Sequence, residues 1–172
     1  MAQLVEVLGS YSRAQGLPPV ALRLEVSGLI ASIVPTPSTY LSLSGPPGGP
    51  LFLVVKPLGR GPADMGALEN AVRREESREV AFGPRGTVRV GGTPRDAVLY
   101  FAGEKSAATA GCAVALPVGE ENLLVLFGTQ GTARSVTSCE QVASHPSLKR
   151  SLESFQADWV GEETEVHPRD AE

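Results

Sequence analysis

The sequence predicts an α+β protein, a single-domain α/β/α sandwich around a largely antiparallel sheet. Three observations carry that expectation. Residues 87–127 hold four short apolar segments, at 87–90, 96–102, 112–116 and 122–127, separated by turn-forming stretches. The chain then enters an amphipathic helix with Pro146 at its first position and Leu148, Leu152 and Phe155 as its apolar stripe. Finally, 19 glycines and 14 prolines among 172 residues favour many turns over long helices.

The elements follow in order. Residues 2–15 are expected to form a short helix with Leu4, Val5 and Leu8 on one side, stopped by Gly16 and the Pro18-Pro19 pair. Residues 22–26 alternate strictly between apolar and polar, as a strand with one wet face does. Residues 30–34 and 41–43 continue the β pattern, and 45–50, dense in glycine and proline, read as a loop. The unbroken apolar runs at 51–55, 97–101 and 123–127 fit central strands covered on both faces. A helix capped by Asp64 or Gly61 runs to about Glu76, with Met65, Leu68 and Val72 on its inner stripe. Thr137 and Glu140 have capping-box spacing for a short turn before the last helix, which is read over 146–156.

Length fits one domain over residues 1–159, large enough to bury a core without staples. The formal charge of -4 is concentrated at the end. Residues 160–172 carry Glu162, Glu163, Glu165, Asp170 and Glu172 against Arg169, so the body is neutral. The end therefore reads as an acidic disordered tail. A neutral body with 5% aromatic residues lacks the field and the stacking platform that nucleic acid requires. No apolar run reaches the roughly 20 residues of a membrane span, and the first residues carry no basic leader pattern. A cytoplasmic location is expected. The bias to Arg (12) over Lys (3), with abundant Ala, Gly and Pro, points to a GC-rich bacterial genome.

The residues Gly91-Gly92-Thr93-Pro94-Arg95-Asp96-Ala97-Val98-Leu99-Tyr100-Phe101 resemble the glycine-then-strand segment of the Mog1/PsbP-like superfamily, which includes the DcrB-type bacterial proteins. The strand at 122–129 and the helix ending in Ser154-Phe155 resemble that family's closing strand and final helix. The resemblance spans about residues 20–156 by element order, and the last 70 or so in local sequence. It implies the α/β/α sandwich and a binding role without catalytic residues. Members include photosystem assembly factors, a Ran-binding protein and chaperones for type VI secretion effectors. The absence of an export pattern sets this chain apart from the DcrB lipoproteins and nearer the effector chaperones.

Candidate chemistry is sparse. Gly59-Arg60-Gly61 lies between a strand and a helix, where a dinucleotide fingerprint would sit, yet Asp64 replaces the third glycine and Pro62 removes an N–H. Gly128 to Gly131 could form an anion nest, with a plain connection the simpler reading. His145 and His167 are the only histidines, and no Gly-x-Ser-x-Gly elbow accompanies them. The pairs Glu75-Glu76 and Glu120-Glu121 diverge as neighbours and read as solvated. Cys112 and Cys139 are too few and too far apart for a disulfide framework or a zinc site. Cys139 near a helix start could be reactive, though a buried cysteine is the simpler account. Arg73, Arg74, Arg78, Arg85, Arg89 and Arg95 could bind an acidic partner segment if they share a face.

The expectation is a non-enzymatic, cytoplasmic protein-binding module, a chaperone or adaptor for a secreted effector or other client. It needs no cofactor or metal and no catalytic residue; its partner is another protein, with a homodimer open to it. Its sheet would offer a concave apolar surface to the client. Two alternatives stand beside it: a small-ligand or nucleotide-binding enzyme using the Gly59–Asp64 loop, and an immunity-type toxin inhibitor.

Overall fold

A computed structural model describes residues 3–32, 39–45, 51–103, 108–130 and 135–160. Most of the glycine- and proline-rich loop expected at 45–50, Gly131, His167 and the tail beyond Val160 lie outside the described residues.

The backbone forms ten strands and four helices in the order β1 (Gln3–Val7), α1 (Gly9–Ala14), β2 (Val20–Val26), β3 (Ile30–Ser32), β4 (Leu41–Ser44), β5 (Leu51–Arg60), α2 (Met65–Glu75), β6 (Val80–Val90), β7 (Thr93–Ala102), β8 (Thr109–Val118), β9 (Glu121–Gln130), α3 (Cys139–Ala143), α4 (Pro146–Ser154) and β10 (Gln156–Trp159). Seven strands make one sheet, ordered β3-β4-β5-β9-β8-β7-β6 and antiparallel at every step. The predicted antiparallel α+β sandwich is the observed one. The run from β6 to β9 is a plain meander, with Gly91 and Gly92 at positive φ in the β6–β7 turn and Gly119 in the β8–β9 turn.

One face of this sheet packs on α2. Leu68, Ala71 and Val72 of the helix meet Val98, Tyr100, Ala113, Leu124 and Leu126. The predicted stripe holds at Leu68 and Val72, with Met65 half-buried against the same cluster, and Ala71 joins it. The opposite face holds the main core, where Leu53, Val55, Leu99, Val114, Val125 and Phe127 meet the second layer. Alternation along each strand divides the two faces, which explains the unbroken apolar runs of β7 and β9. In β5 the expectation of full cover holds for Leu53 and Val55, while Phe52 and Val54 pack against the α2 cluster but stay half-buried.

The second layer differs from a layer of helices alone. It contains a three-stranded antiparallel sheet, β1-β2-β10, beside α1, α3 and α4. Residues 3–7, expected as helix, are the strand β1, paired with β2 from Gln3 opposite Val26 to Val7 opposite Leu22. A helix this short has little stability of its own, whereas Val5 and Val7 suit a pleated surface and β2 supplies the ladder. The chain turns helical only afterwards, in the six-residue α1.

The closing helix also ends earlier than expected. Phe155 leaves helical geometry at φ -62° and ψ 127°, and residues 156–159 run on as β10 against β2. Leu148, Leu152 and Phe155 are all buried, as the stripe requires. The cap of α3 is one residue later than expected: Ser138 Oγ accepts from the Gln141 amide at 3.0 Å, while Gln141 Oε1 accepts from the Thr137 amide at 2.8 Å. Gln141 therefore takes the reciprocal role that the spacing had given to Glu140.

Candidate functional site

The Gly59–Asp64 segment borders a cavity of about 520 Å³, lined in part by Gly61, Asp64, Leu68, Asp96, Ala115 and Asn122. Gly59 and Gly61 adopt positive φ, 110° and 93°, at the end of β5. Their carbonyls, not their amides, carry the local bonding: Asn122 Nδ2 donates to Gly59 O at 2.9 Å and to Gly61 O at 2.7 Å. The start of α2 is closed by Asp64, whose Oδ1 accepts from the Ala67 amide at 2.8 Å. A phosphate needs free N–H groups and positive charge. The segment presents carbonyls and the Asp64 carboxylate; around the cavity Arg95 of β7 is set against Asp64 and Asp96, and Arg60 is turned to Glu120 and Glu121. Asn122, seen in the sequence only as a strand start, is the residue that pins the loop, and its burial is the signal that marks it.

The remaining polar candidates are engaged in holding the fold. His145 caps α4, its Nδ1 accepting from the Ser147 amide at 3.3 Å. Gly128 lies inside β9 rather than after it, opposite Gly111 of β8. A Cβ on Gly128 would overlap the Ala110 carbonyl, and one on Gly111 would overlap the Tyr100 ring. These glycines thus serve close approach, not anion binding.

The carboxylate pairs separate as adjacent residues must. Glu75 pairs with Lys56. Glu76 receives a fork from Arg78, with Nε to Oε1 at 2.7 Å and Nη2 to Oε2 at 3.0 Å. That hydrogen-bonded guanidinium holds the Glu76 carboxyl below its ordinary range, and the carboxylate in turn raises Arg78. Arg78 also donates to Thr109 Oγ1 at 3.0 Å. Burial, with Glu76 nearby, pushes the Tyr100 phenol upward, so it stays protonated. Arg60 reaches Glu120 at 3.4 Å and Glu121 at 3.6 Å across the strand ends. Glu121 is thus a paired, half-buried group rather than a freely solvated one.

The six arginines do not gather into one surface. Arg73 lies over the Phe82 ring at 4.8 Å, Arg85 pairs with Glu69 at 3.7 Å, and Arg89 donates to the Gly92 carbonyl at 3.1 Å. Arg95 on β7 is half-buried and Arg74 on α2 is exposed. They come from α2, the segment after it, β6 and β7.

The cysteines are brought together. Cys112 in β8 and Cys139 at the start of α3 form a disulfide, with Cα atoms 5.8 Å apart and 27 residues between them in sequence. This corrects the reading from spacing, which measures distance along the chain and not across the core. Both residues are fully buried. The next residue, Glu140, lies over the outer edge of β6. Its Oε2 accepts from the Thr87 amide at 3.4 Å, at the long end for such a bond, and a Cβ on Gly86 would overlap the carboxylate.

Among the described residues the exposed large hydrophobic side chains, Leu4, Leu8, Tyr11 and Trp159, all belong to the second layer, from β1, α1, β10 and the joint between β1 and α1. They lie on both faces of its small sheet: Leu4 is opposite Glu25, and Trp159 is opposite Val20 and against Gly119. The start and end of the described residues meet beside α1: Val160 packs over Gly9 and donates its amide to Pro19 O at 2.9 Å. The concave apolar sheet surface expected from the sequence is not the most exposed apolar region, because α2 and the second layer occupy the two faces.

Among the described residues no helix is long and apolar enough to cross a membrane, and no cluster of three or more His, Cys, Asp or Glu side chains could hold a metal ion. No family model matches the chain, and a search of curated proteins returns no match.

Proposed function

We propose that this chain is a non-enzymatic protein-binding module of the Mog1/PsbP-like kind, acting as a chaperone or adaptor for a client protein. One observation carries the reading: among the described residues the exposed large apolar side chains, Leu4, Leu8, Tyr11 and Trp159, all come from the β1–α1 segment and β10 of the second layer. Single exposed apolar residues are ordinary, but several drawn from one layer favour a surface that a partner covers. The edge strand β1 adds a ladder that an extended client segment can join. The roles of His145, Asp64, Glu76 and the Gly59–Gly61 carbonyls in caps, forks and loop pinning support binding over catalysis.

The cytoplasm is part of this proposal, and the Cys112–Cys139 bond sets a condition on it, because disulfides persist mainly in oxidising compartments and a cytoplasmic one must be reversible. Intracellular disulfides in mesophiles are mainly transient, catalytic or redox-sensing.

The test is affinity capture from the native cell with tagged wild-type protein and the Leu8→Glu and Tyr11→Ser variants, read by mass spectrometry. A specific client should be recovered by the wild type and lost from Leu8→Glu, with melting unchanged. Equal recovery by all three would remove the β1–α1 segment from the reading. A nucleotide-dependent thermal shift abolished by Gly61→Val would replace the binding module with the nucleotide enzyme.

A further inference from the structure

We propose that the Cys112–Cys139 disulfide is a redox latch, which holds α3 in place so that Glu140 caps the free edge of β6. The strand β6 is 11 residues long and ends the seven-stranded sheet, so its outer backbone groups face away from β7. Such an edge is a template for another strand unless something blunts it. Near its upstream end it is irregular at Gly83-Pro84. Around Gly86 and Thr87 it is covered by the Glu140 carboxylate.

That cover depends on α3, which has five residues, Cys139–Ala143. A helix of this length does not persist unaided. Its first residue is joined to the middle of β8 through Cys112, and its far end runs directly into α4. Besides Cys139, α3 buries Val142 and packs Ala143 partly against the core, and Val136 is buried just ahead of it. Glu140 is adjacent in sequence to Cys139, so the covalent bond fixes the residue next to the one that caps the edge.

Opening follows ordinary thiol–disulfide exchange with a dithiol reductant. A thiolate of the reductant attacks Cys139 Sγ, the bond to Cys112 Sγ breaks, and Cys112 leaves as a thiolate that takes a proton. The second thiol of the reductant then attacks its own sulfur, releasing Cys139. The protein gains two electrons and two protons, and the reductant departs as its disulfide. Both sulfurs are fully buried, so attack must await local opening of α3, which keeps the latch closed against brief exposure to thiols.

The experiment measures amide hydrogen exchange by NMR on the full chain, air-oxidised and after dithiothreitol, beside Glu140→Ala and the double variant Cys112→Ser/Cys139→Ser. Exchange at Thr87 should rise at least tenfold on reduction, and equally in oxidised Glu140→Ala, while amides at the centres of β8 and β9 keep their protection. The double variant should match the reduced protein without reductant. Unchanged exchange at Thr87 on reduction would overturn the latch. So would a rise across β8 and β9 together, which would make the bond a general staple, or an intact mass showing two thiols in the air-oxidised protein.

Discussion

The backbone amide of Glu25 donates to the side-chain oxygen of Ser154 at 2.7 Å, although 129 residues separate them in sequence. Ser151 completes the arrangement, donating to the Glu25 carbonyl at 3.0 Å. β10 pairs with β2 only as far as Arg23. Beyond that point the two hydroxyls of α4 take over the edge that the strand leaves. Ser154→Ala leaves the Glu25 amide without its acceptor. The variant should lose about 1–2 kcal/mol in urea unfolding, near the range for a stranded backbone donor.

Phe155 closes the same helix and is 3% exposed. Phe155→Ala should cost about 3–5 kcal/mol, since the ring leaves a cavity in the main core. Chemical denaturation measures it, and an unchanged midpoint would contradict this packing.

Gly111 and Gly128 face each other across β8 and β9. Each alanine variant should lose about 1–3 kcal/mol, the usual cost of overfilling a packed interior. Gly128→Ala should be the worse, because its methyl meets backbone of β8, whereas Gly111→Ala meets a Tyr100 side chain that can shift. Paired melting curves decide the order.

The Glu76–Arg78 fork makes a prediction about acid. Because Arg78 holds the folded-state carboxyl of Glu76 below its ordinary 4.5, the deprotonated form favours the folded protein. Its contribution is present above that ordinary value and is lost as pH falls through the lowered one. Arg78→Met should flatten this part of the stability profile below about pH 4.5. Denaturant midpoints between pH 3 and 6, as a rough window, compare the two proteins.

Truncation separates the described end from the acidic tail. Removing residues 161–172, charged and poor in apolar residues, should leave the melting temperature in place. Removing Val160 as well should lower it, since Val160 fills the space over Gly9 and bonds Pro19.

The meander from β6 to β9 and the apolar face of α4 were legible because period and turn chemistry are local properties. Asp64 as a cap was legible for the same reason. Three features were not. The strand β1 draws its state from β2, so a short segment with mixed propensity misleads. The pairing of Cys112 with Cys139 depends on where α3 lands on the sheet, which no spacing records. The role of Asn122 exists only once β5 and β9 lie side by side and bring two glycine carbonyls within reach. The site residues were invisible where their meaning depends on a partner from another element.

The placement of β2 between β1 and β10 sets a schedule for the newborn chain. β1 and β2 lie close together in the chain, whereas β10 is made only after all the strands of the seven-stranded sheet. Until the strands of residues 51–127 follow, the inner face of β2, with Val20, Leu22, Leu24 and Val26, lacks the core it is destined for. A stalled or shortened product would therefore display a sticky apolar ribbon. The small sheet begun by β1 and β2 is completed only when β10 has been made.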